Sequence, residues 1–144
     1  MEKTLHTVNV EQKIQIGITI AGVLEQDKSI LFAYLFGSFT DELLPFHDID
    51  LGIYFVGNNR LWMSREALEL AIILEKKLVF PVDVRVLNNA PVAFLYNVMQ
   101  GKLIYEKDEN IRCQVMENTV RQYLDMKPIL YSATKEAFSH ESQS

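Results

Sequence analysis

Two short stretches decide the fold: Leu35-Phe36-Gly37-Ser38-Phe39 and His47-Asp48-Ile49-Asp50-Leu51, with nine residues between Ser38 and Asp48. Leading into the first is Ile30-Leu31-Phe32-Ala33-Tyr34-Leu35-Phe36. This continuous apolar run predicts a strand buried on both faces. It stops at Gly37-Ser38. Phe39 to His47 reads as a turn region with one proline, and Ile49 to Val56 as a second strand closed by Gly57-Asn58-Asn59. Asp48 and Asp50 stand at i and i+2 of that strand. They aim at one side, about 6.5–7 Å apart along the backbone. Two such carboxylates repel unless they are protonated or cations sit between them. Hard divalent cations such as Mg²⁺ take carboxylate oxygens and keep positions open for phosphates. Gly37 lets a backbone approach a phosphate closely, and the Ser38 hydroxyl with nearby N–H groups can hold phosphate oxygens.

Working outward, Val10 to about Asp27 predicts an amphipathic helix with Ile14, Ile18, Ala21 and Leu24 on one stripe. Leu61 to about Val79 predicts a long helix on which Leu68, Ala71, Ile72 and Glu75 fall at helical spacing. Pro81 closes that connection. Val82 to Leu87 reads as a third strand with β-branched residues alternating with charges. If it lies beside the second strand, Asp83 completes a triad with Asp48 and Asp50. It could then ligate a metal or act as a general base. Asn88-Asn89 is a turn, and Pro91 suits the first turn of a helix to Gln100, which Gly101 stops. Lys102 to Glu106 is a short strand. Asp108 could cap a helix to about Asp125, Pro128 is expected to break it, and Ile129 to Phe138 to form a last short helix. Tyr123, Leu124, Met126, Ile129, Leu130 and Tyr131 are expected to pack on the sheet, with a partner surface as the alternative. Ser139 to Ser144 is expected to be a polar, disordered tail. Strands alternate with helices, so the fold class is α/β (α+β): a small mixed sheet flanked by helices, with a helical C-terminal region. One domain spans 1–138.

The composition agrees. The chain has 144 residues, 49% hydrophobic and 23% charged, which suits one domain with a real core. Its net charge of -5 argues against direct nucleic-acid binding and against an anionic membrane as main partner. No apolar stretch is long enough to span a bilayer, and no basic segment leads into an apolar run at the N-terminus. The single cysteine, Cys113, excludes an intramolecular disulfide; a cytoplasmic location is expected.

Other residues carry less. His47 reads as a loop histidine rather than a ligand beside oxygen-rich donors. Arg60 and Arg65 could steady phosphate charge, although an exposed helix arginine is the ordinary case. Trp62 and Met63 read as packing residues. Lys76-Lys77 reads as the solvated end of a helix.

Together, Gly37-Ser38, Asp48-Ile49-Asp50 and Asp83 resemble the signature of the DNA polymerase beta-like nucleotidyltransferase superfamily. The size is similar to that of its minimal members, the MNT antitoxins encoded beside HEPN toxins. The likeness covers roughly residues 31–106, including Pro81-Val82-Asp83-Val84-Arg85-Val86 and Gly101-Lys102-Leu103-Ile104-Tyr105-Glu106. The resemblance implies two Mg²⁺ ions, ATP as substrate, and transfer of AMP to a tyrosine hydroxyl of a partner HEPN toxin, which silences the toxin. A hetero-oligomer with the toxin is implied too. Asp48 and Asp50 would hold both metals, and Asp83 would bind the catalytic metal and help deprotonate the acceptor. Gly37 and Ser38 would hold the triphosphate. Where the family has a small residue, a basic residue and Gly after the aromatic position, this chain has Thr40-Asp41-Glu42. If Asp41 and Glu42 face the pocket, their charge weakens nucleotide binding. A contact-only antitoxin is the alternative activity.

Overall fold

The computed structural model describes residues 4–142. In chain order the elements are α1 (Val10–Glu25), β1 (Ile30–Phe36), β2 (Ile49–Phe55), α2 (Arg60–Leu78), β3 (Val82–Val86), α3 (Val92–Met99), β4 (Lys102–Glu106) and α4 (Glu109–Ser142), with a one-turn 3₁₀ helix at Ser38–Thr40. The strands form one sheet in the order β3-β2-β1-β4. β1 runs antiparallel to both β2 and β4, whereas β2 and β3 are parallel, so the sheet is mixed as expected.

The element ends follow local chemistry. Asn9 and Gln12 form a reciprocal capping box at the start of α1, with bonds of 2.7 and 2.8 Å. The Asn59 side chain caps α2 by accepting from the Trp62 N–H at 3.0 Å. Asp108 caps α4 through the Ile111 N–H at 3.1 Å. The far end of β2 is finished by a side chain. Asn88 Oδ1 accepts from the Phe55 N–H and Asn88 Nδ2 donates to the Phe55 carbonyl, both at 2.8 Å.

Strand alternation sorts the core into two layers. Ile49, Leu51 and Ile53 of β2 meet α1 and α2 with Val82 of β3 and the half-buried Val84 and Val86. On the other face Phe32, Tyr34 and Leu87 meet Leu95, Val98 and Met99 of α3. Gly52 permits that second contact: a Cβ there would stand 2.8 Å from Leu87 and 3.1 Å from Val98. Arg112 of α4 pairs with Glu106 of β4 and approaches the Tyr34 hydroxyl, which keeps its guanidinium protonated.

Two helices bury other stripes than their periodicity predicts. α1 turns Lys13, Ile16, Ile20 and Leu24 inward and leaves Ile14 and Ile18 more than half exposed. Both stripes are apolar, and only the sheet decides between them. α2 buries Met63, Ala67, Leu70, Leu74 and Leu78, while Leu68 and Ile72 face out.

The expected break at Pro128 is corrected: α4 runs through it as one helix. Proline removes the N–H that would bond the Leu124 carbonyl. This segment is exposed, with Leu124 at 56%, so water can take that carbonyl. Leu124, Met126 and Ile129 are likewise exposed rather than packed on the sheet, and Tyr123 stacks on Tyr96 of α3 at 3.8 Å. The side chains of Leu130 and Tyr131 lie outside the described residues. The helix continues to Ser142, into the segment expected to be a tail; Gln143 and Ser144 lie outside the described residues.

Candidate active site

The five residues singled out in the sequence converge on one end of the sheet. Gly37 and Ser38 follow the last residue of β1. Asp48 immediately precedes β2, and Asp50 and Asp83 are the second residues of β2 and β3. Asp50 is directly opposite Phe36 in β1 and directly beside Asp83 in β3. Neighbouring strands lie about 4.8 Å apart, so the two carboxylates start from adjacent points on one face. Asp48 stands in the bend one residue before β2 and two before Asp50.

Gly37 belongs to the site by shape. Its φ of 76° lies where side chains are strained, and a Cβ would collide with the Asp50 carboxylate. The Thr40 hydroxyl and N–H both donate to the Gly37 carbonyl, at 2.7 and 3.1 Å, and the Asp41 N–H donates to Ser38 O at 3.1 Å. These bonds hold the turn and leave Ser38 exposed.

Asp83 is 40% exposed, and its Oδ2 accepts from Arg85 Nε at 3.1 Å. Arg85 is a site neighbour that sequence reasoning left out. Its signal was the i+2 spacing from Asp83, which puts both on one face of β3. Phe94 of α3 was also missed. It packs edge-on against Phe36 at 5.7 Å and walls the site. A groove of about 960 Å³ between α2 and β3 opens beside Asp83 and includes Arg60, Arg85 and Phe94 in its lining.

Among the described residues no three His, Cys, Asp or Glu side chains close on one point as a finished metal site. The donor chemistry still fits a hard cation: three carboxylates on adjoining strand ends beside a glycine that keeps space open. His47 is exposed, with Nδ1 3.1 Å from the Thr4 carbonyl. Arg65 is exposed on α2. Met63 is buried, and Trp62 packs edge-on against Phe55 at 5.8 Å. The Asp41 carboxylate accepts from the Leu43 N–H at 2.9 Å, within its own loop. Glu42 lines a groove between α1 and β4.

A mixed sheet that brings a Gly-Ser turn, an Asp-x-Asp pair and a third aspartate to one end is a nucleotidyl-transfer layout. The family model described as "Polymerase beta, Nucleotidyltransferase" matches residues 19–110. The chain belongs to that family. No curated protein sequence matches it. Among solved structures, the chain resembles one from the complex of a tri-AMPylated Shewanella oneidensis HEPN toxin with MNT antitoxin. That match has 18% identity and a TM-score of 0.60 and covers 92% of this chain and 99% of the other. A toxin–antitoxin structure with AMP-PNP matches at 18% identity and TM-score 0.61, over 95% of this chain and 100% of the other. A MntA–HepT structure matches at 19% identity and TM-score 0.53, over 93% and 98%. At these identities the likeness is one of fold. Among the described residues no helix is long and apolar enough to cross a membrane.

Proposed function

We propose that this chain transfers AMP from ATP to a tyrosine hydroxyl of a partner HEPN toxin and thereby acts as its antitoxin. The observation that carries the reading is the meeting of Gly37, Asp50 and Asp83 at one end of the sheet. The MNT-complex and AMP-PNP neighbours support it.

Asp48, Asp50 and Asp83 would hold Mg²⁺, with Asp48 and Asp50 serving both ions. Bound Mg²⁺ would offset phosphate charge and favour ionisation of the acceptor hydroxyl. Gly37 would let the chain approach the triphosphate, and the Ser38 hydroxyl would donate to a phosphate oxygen. In the reaction the tyrosine oxygen attacks the α-phosphorus. The new O–P bond forms as the bond from that phosphorus to the bridging oxygen of the β-phosphate breaks, and pyrophosphate leaves. The Asp83 carboxylate would accept the tyrosine proton, directly or through water. Arg85 must then give up its hold on Asp83 or share it. In the Thr40-Asp41-Glu42 stretch the Asp41 carboxylate accepts from the Leu43 N–H in its own loop, and Glu42 lines the α1–β4 groove.

A second reading, neutralisation by contact alone, is favoured by the Arg85–Asp83 pair, which already occupies one carboxylate. Intact-mass measurement separates the two. With Mg²⁺, ATP and the cognate HEPN protein, the transferase adds whole AMP units to that protein, and the Asp48→Asn/Asp50→Asn double variant adds none. A stable complex with no mass gain favours contact alone.

A further inference from the structure

Lys13 is only 8% exposed, although it sits on α1 and the helix offers it an easy route to water. Lysines are almost never buried to this degree unless they are paired. Among the described residues its ammonium makes no salt bridge. It donates instead to two backbone carbonyls, Asp41 O at 2.5 Å and Leu44 O at 2.9 Å. The same nitrogen lies 5.4 Å from the Phe39 ring centre and 5.7 Å from that of Phe46. A methionine or leucine would fill the space without the cost of desolvating a charge. What the ammonium adds is a fixed position for two carbonyls and two rings.

Those four groups all belong to the loop between Ser38 and Asp48. Asp41 is held at both ends: its carbonyl by Lys13, and its N–H by the Ser38 carbonyl at 3.1 Å. Phe39, next to Ser38, packs edge-on against Phe46 at 5.0 Å, and Phe46 is two residues before Asp48. From the far side His6 pairs with Phe46 through two backbone bonds of 2.8 and 3.0 Å.

We propose that Lys13 is a positioning residue that sets the Gly37-Ser38 turn and the Asp48-Asp50 pair relative to each other, and so controls affinity for a magnesium-bound nucleoside triphosphate. This rests on the nucleotide-transfer reading above. Lys13 acts through the loop and touches no phosphate itself.

The test measures binding of Mg²⁺-AMP-PNP by calorimetry, at a temperature where every variant is folded. Lys13→Met is expected to weaken binding about tenfold, since small misplacements of a site carry large penalties. Lys13→Arg, which keeps charge and donors, recovers part of the loss. Leu24→Ala, a core change at the other end of α1, lowers Tm and leaves affinity unchanged, which separates positioning from stability. A folded Lys13→Met protein that binds like wild type overturns the proposal. Should Lys13→Met not fold, Lys13→Gln decides: it keeps an amide N–H donor group but no charge, and wild-type affinity in it overturns the proposal equally. A wild-type chain that binds no Mg²⁺-AMP-PNP overturns the nucleotide reading itself, a result distinct from equal binding by wild type and variants.

Discussion

The two faces of the sheet are made by the same strands and differ in what they carry. Towards α1 and α2, β2 presents Ile49, Leu51 and Ile53, each fully buried. Towards α3 and α4, the same strand presents Asp50, Gly52 and Tyr54, and β3 presents Asp83 and Arg85, with Leu87 just beyond it. On the first face, β2 and β3 are apolar throughout, with Ile49, Leu51, Ile53, Val82, Val84 and Val86. The second is apolar where α3, eight residues long, and the start of α4 cover it. Charge gathers at the end α3 leaves bare. The larger apolar layer therefore lies on one face, and the carboxylates share the other face with a smaller one.

The comparison is most exposed to Asp50→Asn. On its proposed role as a Mg²⁺ ligand, losing Asp50 would remove several kcal/mol of charge stabilisation, which corresponds to about 10³-fold in the proposed AMP transfer. Far-ultraviolet circular dichroism should still show the fold. A variant with near-normal transfer would mean the polar face does not carry the chemistry. On the apolar face, Leu51→Ala should cost about 2–5 kcal/mol in urea unfolding. A loss under about 1 kcal/mol would show that this layer is not the stabilising one. Gly37→Ala lies between the two kinds of effect. At φ 76° and ψ -166° Gly37 occupies a region essentially reserved for glycine, where a residue with a Cβ is strained by about 1–3 kcal/mol, and the added methyl would press on Asp50. A drop in both stability and transfer is expected, and normal transfer at reduced stability would detach Gly37 from the site.

The smallest effect tests the rim of the apolar layer. Burial, with the charges of Glu69 and Asp27, pushes the Glu66 carboxyl above its ordinary value. A carboxyl with a raised folded-state pKa opposes folding once it is ionised. The penalty is absent below the unfolded value, grows as pH rises through the folded value, and is full at neutrality. Glu66→Gln should give a small gain in urea midpoint at pH 7 that disappears near pH 4. A gain independent of pH would assign the effect to something other than charge.

Much of this architecture could be read from local pattern. β1 is legible because seven apolar residues end at Gly37-Ser38, and the Asp-x-Asp pair because it opens an apolar strand. Whether Asp83 stands beside Asp50 was not legible, since strand order is a tertiary property. The buried stripe of α1 was hidden for a different reason. Ile14 with Ile18 and Ile16 with Ile20 compete on equal terms, and Lys13 argues against the stripe that wins. Only the loop carbonyls that receive its ammonium explain why a lysine is inside. In α4, Pro128 is a true breaker where backbone groups are buried, and a tolerable defect where water reaches them.

The Asn88 amide at the end of β2 also bears on this site. β3 reads Val82, Val84, Val86 along one face, nearly the same residue at every step. A slip by one position would throw Asp83 onto the apolar side and is strongly opposed. A slip by two keeps every face correct, and the valines would scarcely notice it. It would nonetheless set Asp83 beside Asp48 or Gly52. The side chain that clasps Phe55 from both its N–H and its carbonyl fits only one of these alignments. Asn88 thus serves as an index pin for a repetitive strand, and the spacing of the acidic cluster is counted from the opposite end of the sheet.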